Sequence, residues 1–85
     1  MSLLPKAPPI PADLDVAAIR AKTRYASYGD ASYTQEDFAL AVGVPVGTVR
    51  QWEQRRRKPT GAARVLLALI DRNPAIVSTV LHEAA

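Results

Sequence analysis

The residues that are most informative about binding are basic side chains concentrated in one short stretch. Between positions 50 and 64 the only acid is Glu53, and it stands among six cations: Arg50, Arg55, Arg56, Arg57, Lys58 and Arg64. This stretch carries a net charge of +5, whereas the whole 85-residue chain carries +3, so the remainder is slightly acidic. Such a concentration of positive charge is typical of a surface that binds a polyanion such as a nucleic acid. On charge alone, a solvated basic loop explains the stretch equally well.

Groups that could support catalysis or bind a metal are sparse. The chain has no cysteine, and its single histidine is His82. No histidine stands beside a candidate nucleophile, which makes an enzyme the less favoured interpretation. Asp13, Asp15 and Asp30 lack the spacing of a metal-binding loop, and no glycine-rich phosphate loop follows a strand. We therefore expect a binding protein rather than an enzyme, with no metal and no cofactor.

The elements that must position the basic stretch are predicted to be helices. Helix-forming residues dominate the chain, and the apolar–polar alternation typical of a strand is rare. Capping residues, glycines and prolines instead divide the chain into five short helices. These cover approximately residues 13–25, 34–43, 46–54, 60–72 and 74–83, with Asp13, Thr34, Thr60 and Asn73 as N-caps. The sequence therefore predicts an all-α domain of five helices over residues 13–85.

The first residues differ in composition from the rest. Four of the seven prolines lie between positions 5 and 11, and proline keeps this stretch from forming a helix. We expect residues 1–12 to form a flexible arm with polyproline character. The arm could bind a partner, but an untethered terminus is the simpler interpretation.

Cellular location follows from what the sequence lacks. No apolar run reaches the length of a membrane span, and residues 1–12 lack both the basic start and the apolar run of a signal peptide. The absence of cysteine is consistent with a reducing compartment. We therefore expect a soluble protein of the cytoplasm that makes no contact with a membrane.

The segment from Gln35 to Trp52 has the spacing of two helices joined by a tight turn. Ala39 is small where the helices approach, and Gly43 accepts the positive φ that such a turn requires. Val49 and Trp52 lie three residues apart, so they share the face that packs against the first of the two helices. The pattern predicts a helix-turn-helix over about residues 34–54, with Trp52 in the core.

The helix-turn-helix segment and the residues that follow it resemble a known family. TQEDFALAVGVPVGTVRQWEQRRRKP is similar to the Xre-type, or lambda-repressor-like, helix-turn-helix. The continuation TGAARVLLALIDRNPAIVSTVL is similar to HigA-like antitoxins, the DNA-binding members of toxin–antitoxin pairs. The resemblance covers about residues 14–81. It implies a lambda-repressor-like fold and a bacterial DNA-binding protein whose second motif helix is the recognition helix.

The resemblance also implies roles for individual residues. Gln35 would contact the phosphate backbone, and the groove-facing side of the recognition helix would carry the base-reading residues Thr48, Arg50 and Gln51. Arginine pairs bidentately with guanine and glutamine with adenine, and Val46 could touch a thymine methyl group. A set of phosphate-binding residues would position the protein without reading bases. That set is the basic loop, Arg55, Arg56, Arg57 and Lys58.

Three details qualify this interpretation. Val46 and Gly47 occupy the front of the recognition helix, where the family often places polar base readers. Arg55 stands where the family usually has glycine; a left-handed backbone there would cost on the order of 1 kcal/mol, which an extra phosphate contact could offset. Glu53 is expected to pair with Arg56 or Arg57 and to brace the loop rather than contact DNA.

The fourth helix predicts a dimer because it is apolar almost all the way round. Five short helices cannot readily enclose such a surface, so part of it should meet a second subunit. The alternative is that this helix is simply the central core helix. A twofold dimer would place two recognition helices on a palindromic site. The residues expected at the interface are Leu66, Leu69, Ile70, Val77 and Leu81.

Two functions remain open at this stage. The favoured one is a sequence-specific DNA-binding repressor, an autorepressing antitoxin with a cognate toxin partner. The alternative is a protein-binding module that neutralises a toxin and binds DNA with little specificity, which the Val46–Gly47 pair motivates.

Overall fold

The computed structural model describes residue 10 and residues 13–24 and 31–81 of the chain. Within these residues the protein is all-helical, as predicted, and has no strand beyond an isolated antiparallel bridge between Arg24 and Ser32. The helices are α1 (Val16–Ala21), α2 (Gln35–Val42), α3 (Val46–Glu53), α4 (Gly61–Arg72) and a C-terminal π-helix (Val77–Leu81). The predicted arm, apart from Ile10, and the end of the predicted fifth helix beyond residue 81 lie outside the described residues.

The first helix is shorter than predicted at both ends. Its N-cap is Asp15 rather than Asp13, and the Asp15 carboxylate accepts a hydrogen bond from the Ala18 amide at 3.1 Å. The helix ends at Ala21 because the chain that follows pairs with the segment before α2. The Tyr33 amide donates to the Thr23 carbonyl at 3.2 Å, next to the bridge between Arg24 and Ser32. This pairing draws residues 23 and 24 out of the helix.

The last two helices also differ from the sequence-based prediction. Thr60 precedes α4 as predicted, but its hydroxyl makes no capping hydrogen bond, and Gly61 after it has a φ of 57°. The predicted α-helix after Pro74 becomes a π-helix over Val77–Leu81. The hydroxyls of Ser78 and Thr79 donate to the Ala75 carbonyl at 3.3 and 2.7 Å. They therefore compete for the acceptor that an α-helix would offer to a backbone amide.

The core draws side chains from every helix. α2 packs against α3 and the π-helix, while α1 packs against α3 and α4. Thr23 is buried among them, and its hydroxyl donates to the Ile19 carbonyl at 2.8 Å, so no donor is left unsatisfied there. The buried apolar residues are Leu14, Val16, Ile19, Tyr33, Phe38, Ala39, Val49, Trp52, Leu67, Ile70 and Val77.

Neither a membrane-spanning helix nor a metal-binding cluster occurs in the described part of the chain. No helix there is long and apolar enough to cross a membrane. Nor do three or more His, Cys, Asp or Glu side chains within those residues come together where they could hold a metal ion.

Candidate nucleic-acid interface

The turn between α2 and α3 is fixed by one left-handed residue. Thr34 caps α2 as predicted, because its hydroxyl accepts a hydrogen bond from the Asp37 amide at 3.0 Å. Gly43 ends the helix with a φ of 81°, and its amide donates to the Ala39 carbonyl at 2.9 Å. Val44 donates to the same carbonyl at 3.1 Å, and Pro45 leads directly into α3. The left-handed Gly43 therefore reverses the chain within three residues, between the end of α2 at Val42 and the start of α3 at Val46.

The face of α3 that meets α2 is separate from the face that meets solvent. Val49 and Trp52 are buried in the core together with Ala39, so Trp52 is unable to stack on a base. Arg50 and Gln51 are exposed on the outer side, while Val46 and Thr48 are half-buried near its first turn. The four residues predicted to read bases therefore lie on one eight-residue helix whose opposite face is anchored in the core.

The basic loop begins with the same hydrogen bonds that end α3. The Arg55 amide donates to the Trp52 carbonyl at 3.1 Å, and the Arg56 amide donates to the Gln51 carbonyl at 2.9 Å. These two bonds form a Schellman motif, which requires a left-handed residue after the helix cap. Arg55 occupies that position with a φ of 60°. The position where the family usually has glycine is therefore left-handed here, at a cost on the order of 1 kcal/mol.

The Arg55 side chain pairs within the protein. Its guanidinium donates to the Asp13 carboxylate at 2.9 Å and lies 3.7 Å from the Asp15 carboxylate. Arg56, Arg57 and Lys58 are exposed beside it. The basic loop thus presents three cations directly to solvent, while a fourth is held against the segment before α1.

Glu53 pairs with α1 and not with the basic loop. Its carboxylate accepts from Arg20 Nε at 2.6 Å and from Arg20 NH2 at 3.0 Å, which corrects the predicted pairing with Arg56 or Arg57. The sequence offered no signal for this contact because 33 residues separate the two side chains. The hydrogen bonds from Arg20 hold the pKa of the Glu53 carboxyl below its ordinary value, although burial opposes the shift. They also raise the pKa of Arg20.

A chain of hydrogen bonds continues from Glu53 to the exposed face of α3. Gln35 Nε2 donates to Glu53 Oε1 at 3.0 Å, and Gln35 Oε1 accepts from Arg50 Nε at 3.4 Å. The Arg50 guanidinium also lies 3.6 Å from the Glu36 carboxylate. Gln35 and Arg50, which the family resemblance assigned to separate phosphate and base contacts, are therefore bonded to each other.

The residues predicted at a dimer interface fall into different environments. Ile70 and Val77 have no exposed surface and belong to the core of the single chain, so a second subunit is unable to reach them in this arrangement. Leu66 is half-buried against the core, Leu69 is 53% exposed, and the side chain of Leu81 lies outside the described residues. Val65 and Val80 are also exposed apolar residues of α4 and the π-helix.

The geometry of α2, the turn and α3 is that of a helix-turn-helix, and comparison with known proteins agrees. Residues 30–68 match the helix-turn-helix family. The uncharacterized HTH-type transcriptional regulator YiaG from Escherichia coli strain K12 is 49% identical over 41 residues, which is 48% of this chain and 43% of that protein. YiaG from E. coli O6:H1 and from O157:H7 gives the same identity and coverage. No solved structure matches the chain significantly.

The fold class follows from the match and the helices together. The described part of the chain is all-α and contains a helix-turn-helix, as the sequence predicted, and it is consistent with a lambda-repressor-like domain. The chain spans less than half the length of the relatives that it matches.

Proposed function

We propose that this protein is a DNA-binding transcriptional regulator that binds rather than catalyses. One observation carries the proposal: the outer face of α3 presents Arg50 and Gln51 next to the exposed basic loop. An α-helix fits into the major groove of DNA, and the cations that follow α3 would contact the flanking phosphates. The helix-turn-helix match and the name of the YiaG relatives, transcriptional regulators, support the same function.

Within this proposal the residues of α3 read bases. Arg50 and Gln51 are exposed and carry the donors and acceptors that recognise guanine and adenine in the major groove. Thr48 would add a hydrogen bond, and Val46 would contact a thymine methyl group. Because Gly47 and Val46 carry no polar atoms in their side chains, hydrogen-bonded recognition falls mainly on Arg50 and Gln51.

The basic loop and the start of α2 bind phosphates in this proposal. Arg56, Arg57 and Lys58 are exposed and would neutralise the DNA backbone without reading sequence. Gln35 would contribute a further phosphate contact from the first turn of α2. Arg55 would join them by exchanging its carboxylate partners for a phosphate.

A dimer would allow two such helices to bind a palindromic operator. The proposed interface combines the exposed apolar residues of α4 and the π-helix, Val65, Leu69 and Val80, with the half-buried Leu66; this set is called the apolar face below. Val80 is 59% exposed, so this face leaves apolar surface in water that a second copy would cover. Two recognition helices related by a twofold axis would meet half-sites about one turn of DNA apart.

A narrower proposal is that the regulator is an autorepressing antitoxin. It is supported by the resemblance of residues 60–81 to HigA-like antitoxins, and it predicts a small toxin encoded by an adjacent reading frame. Co-expression tests it: this protein should suppress the growth arrest that the neighbouring product causes. The absence of such a reading frame, or a neighbouring product that leaves growth unaffected, would leave a stand-alone regulator.

A protein-binding module with little specific DNA binding is the second candidate. Leu40 favours it, because this residue of α2 is 80% exposed and borders a shallow groove with Val44, Pro45 and Val46. A partner protein seated there would overlap the front of α3. This candidate predicts no preference among DNA sequences.

Selection from a pool of random duplexes distinguishes the two candidates. A DNA-binding regulator should enrich one motif, and R50A should lose discrimination at one base pair at a cost of roughly 1–3 kcal/mol. R56A should weaken binding to all sequences and flatten the dependence of affinity on salt. Equal losses from both variants on selected and random DNA would refute this division of roles. Failure of the wild-type protein to enrich any motif would favour the protein-binding module.

A further inference from the structure

Glu53 is nearly buried, but hydrogen bonds connect its carboxylate to the exposed face of α3. The side chain of Glu53 is only 9% exposed, yet its carboxylate is the start of the hydrogen-bond chain that leads through Gln35 to Arg50. The inference drawn from this chain rests on the proposed function, because it concerns how Arg50 is presented to a base.

The orientation of the Gln35 amide is determined by its neighbours. A primary amide has a donor end and an acceptor end, whereas an ionised carboxylate only accepts and a guanidinium only donates. Glu53 therefore binds Nε2 of Gln35, at 3.0 Å, which leaves Oε1 facing Arg50. The reversed amide would set its oxygen against the carboxylate and its NH₂ group against the guanidinium. Both contacts would be repulsive.

The orientation of Arg50 follows from that of Gln35. Arg50 Nε donates to Gln35 Oε1 at 3.4 Å, while the Glu36 carboxylate lies 3.6 Å from NH2. With Nε engaged on the protein side, the terminal nitrogens form the edge of the guanidinium that remains for the O6 and N7 atoms of guanine. An arginine held in this way also loses less side-chain freedom when it binds.

We propose that Glu53 is a positioning residue for guanine recognition, which acts through the Gln35 amide to orient the guanidinium of Arg50. Arg20 donates two hydrogen bonds to the same carboxylate and joins it to α1, whereas the contact with Gln35 needs only the carboxylate oxygen Oε1. Neither Arg20 nor Glu53 needs to touch DNA for this role. The base preference of the protein would therefore depend on a partly buried carboxylate behind the recognition helix.

Two variants separate positioning from stability. E53M removes both the ion pair with Arg20 and the acceptor for Gln35, whereas R20M removes the same ion pair but leaves Glu53 to hold Gln35. Each full-length variant is titrated with the selected duplex and with a duplex in which the guanine opposite Arg50 is replaced. The ratio of the two affinities is measured below the unfolding transition of each variant. We expect E53M to reduce this ratio roughly three- to tenfold and R20M to leave it near the wild-type value.

An NMR measurement reports on the same contact without DNA. The Nε–Hε signal of Arg50 should exchange faster with water and shift in E53M, but much less in R20M. If E53M does not fold, Q35M tests the same link. Any phosphate binding by Gln35 itself contributes equally to both duplexes, so its removal cancels in the ratio.

The possible results fall into three groups. A reduced ratio in E53M or Q35M, together with an unchanged ratio in R20M, supports the positioning role. Equal reductions in E53M and R20M, or no reduction in E53M and Q35M, overturn it. A wild-type protein that shows no preference between the two duplexes contradicts the proposed function itself, and R50A distinguishes this case because it should abolish the preference.

Discussion

Arg20 of α1 and Glu53 at the end of α3 form an ion pair with hydrogen bonds of 2.6 and 3.0 Å. The pair joins the helix before the helix-turn-helix to the last turn of α3. Because both side chains are largely buried, each would be left with an uncompensated charge if the other were removed. The ion pair thus stabilises the position of α3 relative to α1.

The stability of the domain should therefore depend on pH through Glu53. Its pKa is lowered in the folded protein, so its stabilising effect is complete above the ordinary carboxyl value of about 4.3 and is lost as the pH falls through the lowered value. E53M should cost about 3 kcal/mol near neutral pH and reduce this acid-dependent loss. Urea unfolding at a series of pH values measures both effects. E36M, at an exposed position, is the control and should stay within about 0.5 kcal/mol of wild type; equal acid sensitivity in E53M and wild type would contradict the assignment.

The two glycines of the helix-turn-helix should respond to alanine in opposite directions. Gly43 has a φ of 81° and an added Cβ would meet nothing within 4 Å, so G43A should destabilise the protein by about 1 kcal/mol through its backbone alone. Gly47 lies inside α3, where a Cβ also has open space, so G47A should stabilise it by up to about 1 kcal/mol. Thermal unfolding of the pair measures the difference. A stabilised G43A variant would contradict the left-handed turn.

The exposed Arg55 side chain is paired with the Asp13 carboxylate, which a DNA phosphate would have to replace. D13N removes the 2.9 Å partner of Arg55 and should strengthen binding to any duplex roughly two- to fivefold at low salt. The matched control is D71N, which changes the net charge equally but removes the partner of Lys22 instead. Fluorescence anisotropy on random duplex DNA compares them. Equal gains in the two variants would show that only net charge matters, and that Arg55 is not released onto a phosphate.

Dimer formation should depend on the apolar face and not on other exposed apolar residues. L69D places a charge on a residue that is 53% exposed, and it should shift sedimentation equilibrium towards the monomer. L40D is the control because Leu40 is more exposed but lies on α2, which contributes no residue to the apolar face. A dimer that survives L69D and is lost in L40D would place the interface on α2. A wild-type protein that is monomeric at all concentrations would contradict the dimer.

Local signals predicted most of the fold because each acts over a few residues. Thr34 begins α2 and Gly43 ends it, as their capping chemistry requires. Trp52 is buried, as its spacing from Val49 indicated. Two errors arose where distant contacts compete with local ones. α1 ends early because residues 23 and 24 pair with residues 32 and 33, and α4 buries Ile70 that the sequence assigned to a dimer.

The candidate site divides in the same way. The exposure of Arg50 and Gln51 follows from helical periodicity once Val49 and Trp52 are assigned to the core. The partners of Glu53 and Arg55 do not follow, because both lie on segments far away in the chain. An ion pair between residues on α1 and α3 depends on the angle at which the two helices cross. The spacing of residues within one helix does not predict that angle.

The most direct test is a fluorescence-anisotropy titration of the full chain against the DNA upstream of its own gene and against a scrambled duplex of equal length. The titration is carried out at low and at physiological salt, because phosphate contacts alone give strong binding at low salt. A sequence-specific autoregulator should prefer the upstream fragment by about a hundredfold or more at physiological salt. Equal affinity for the two duplexes, or no binding to either, would contradict the proposal that α3 reads the sequence of its own operator.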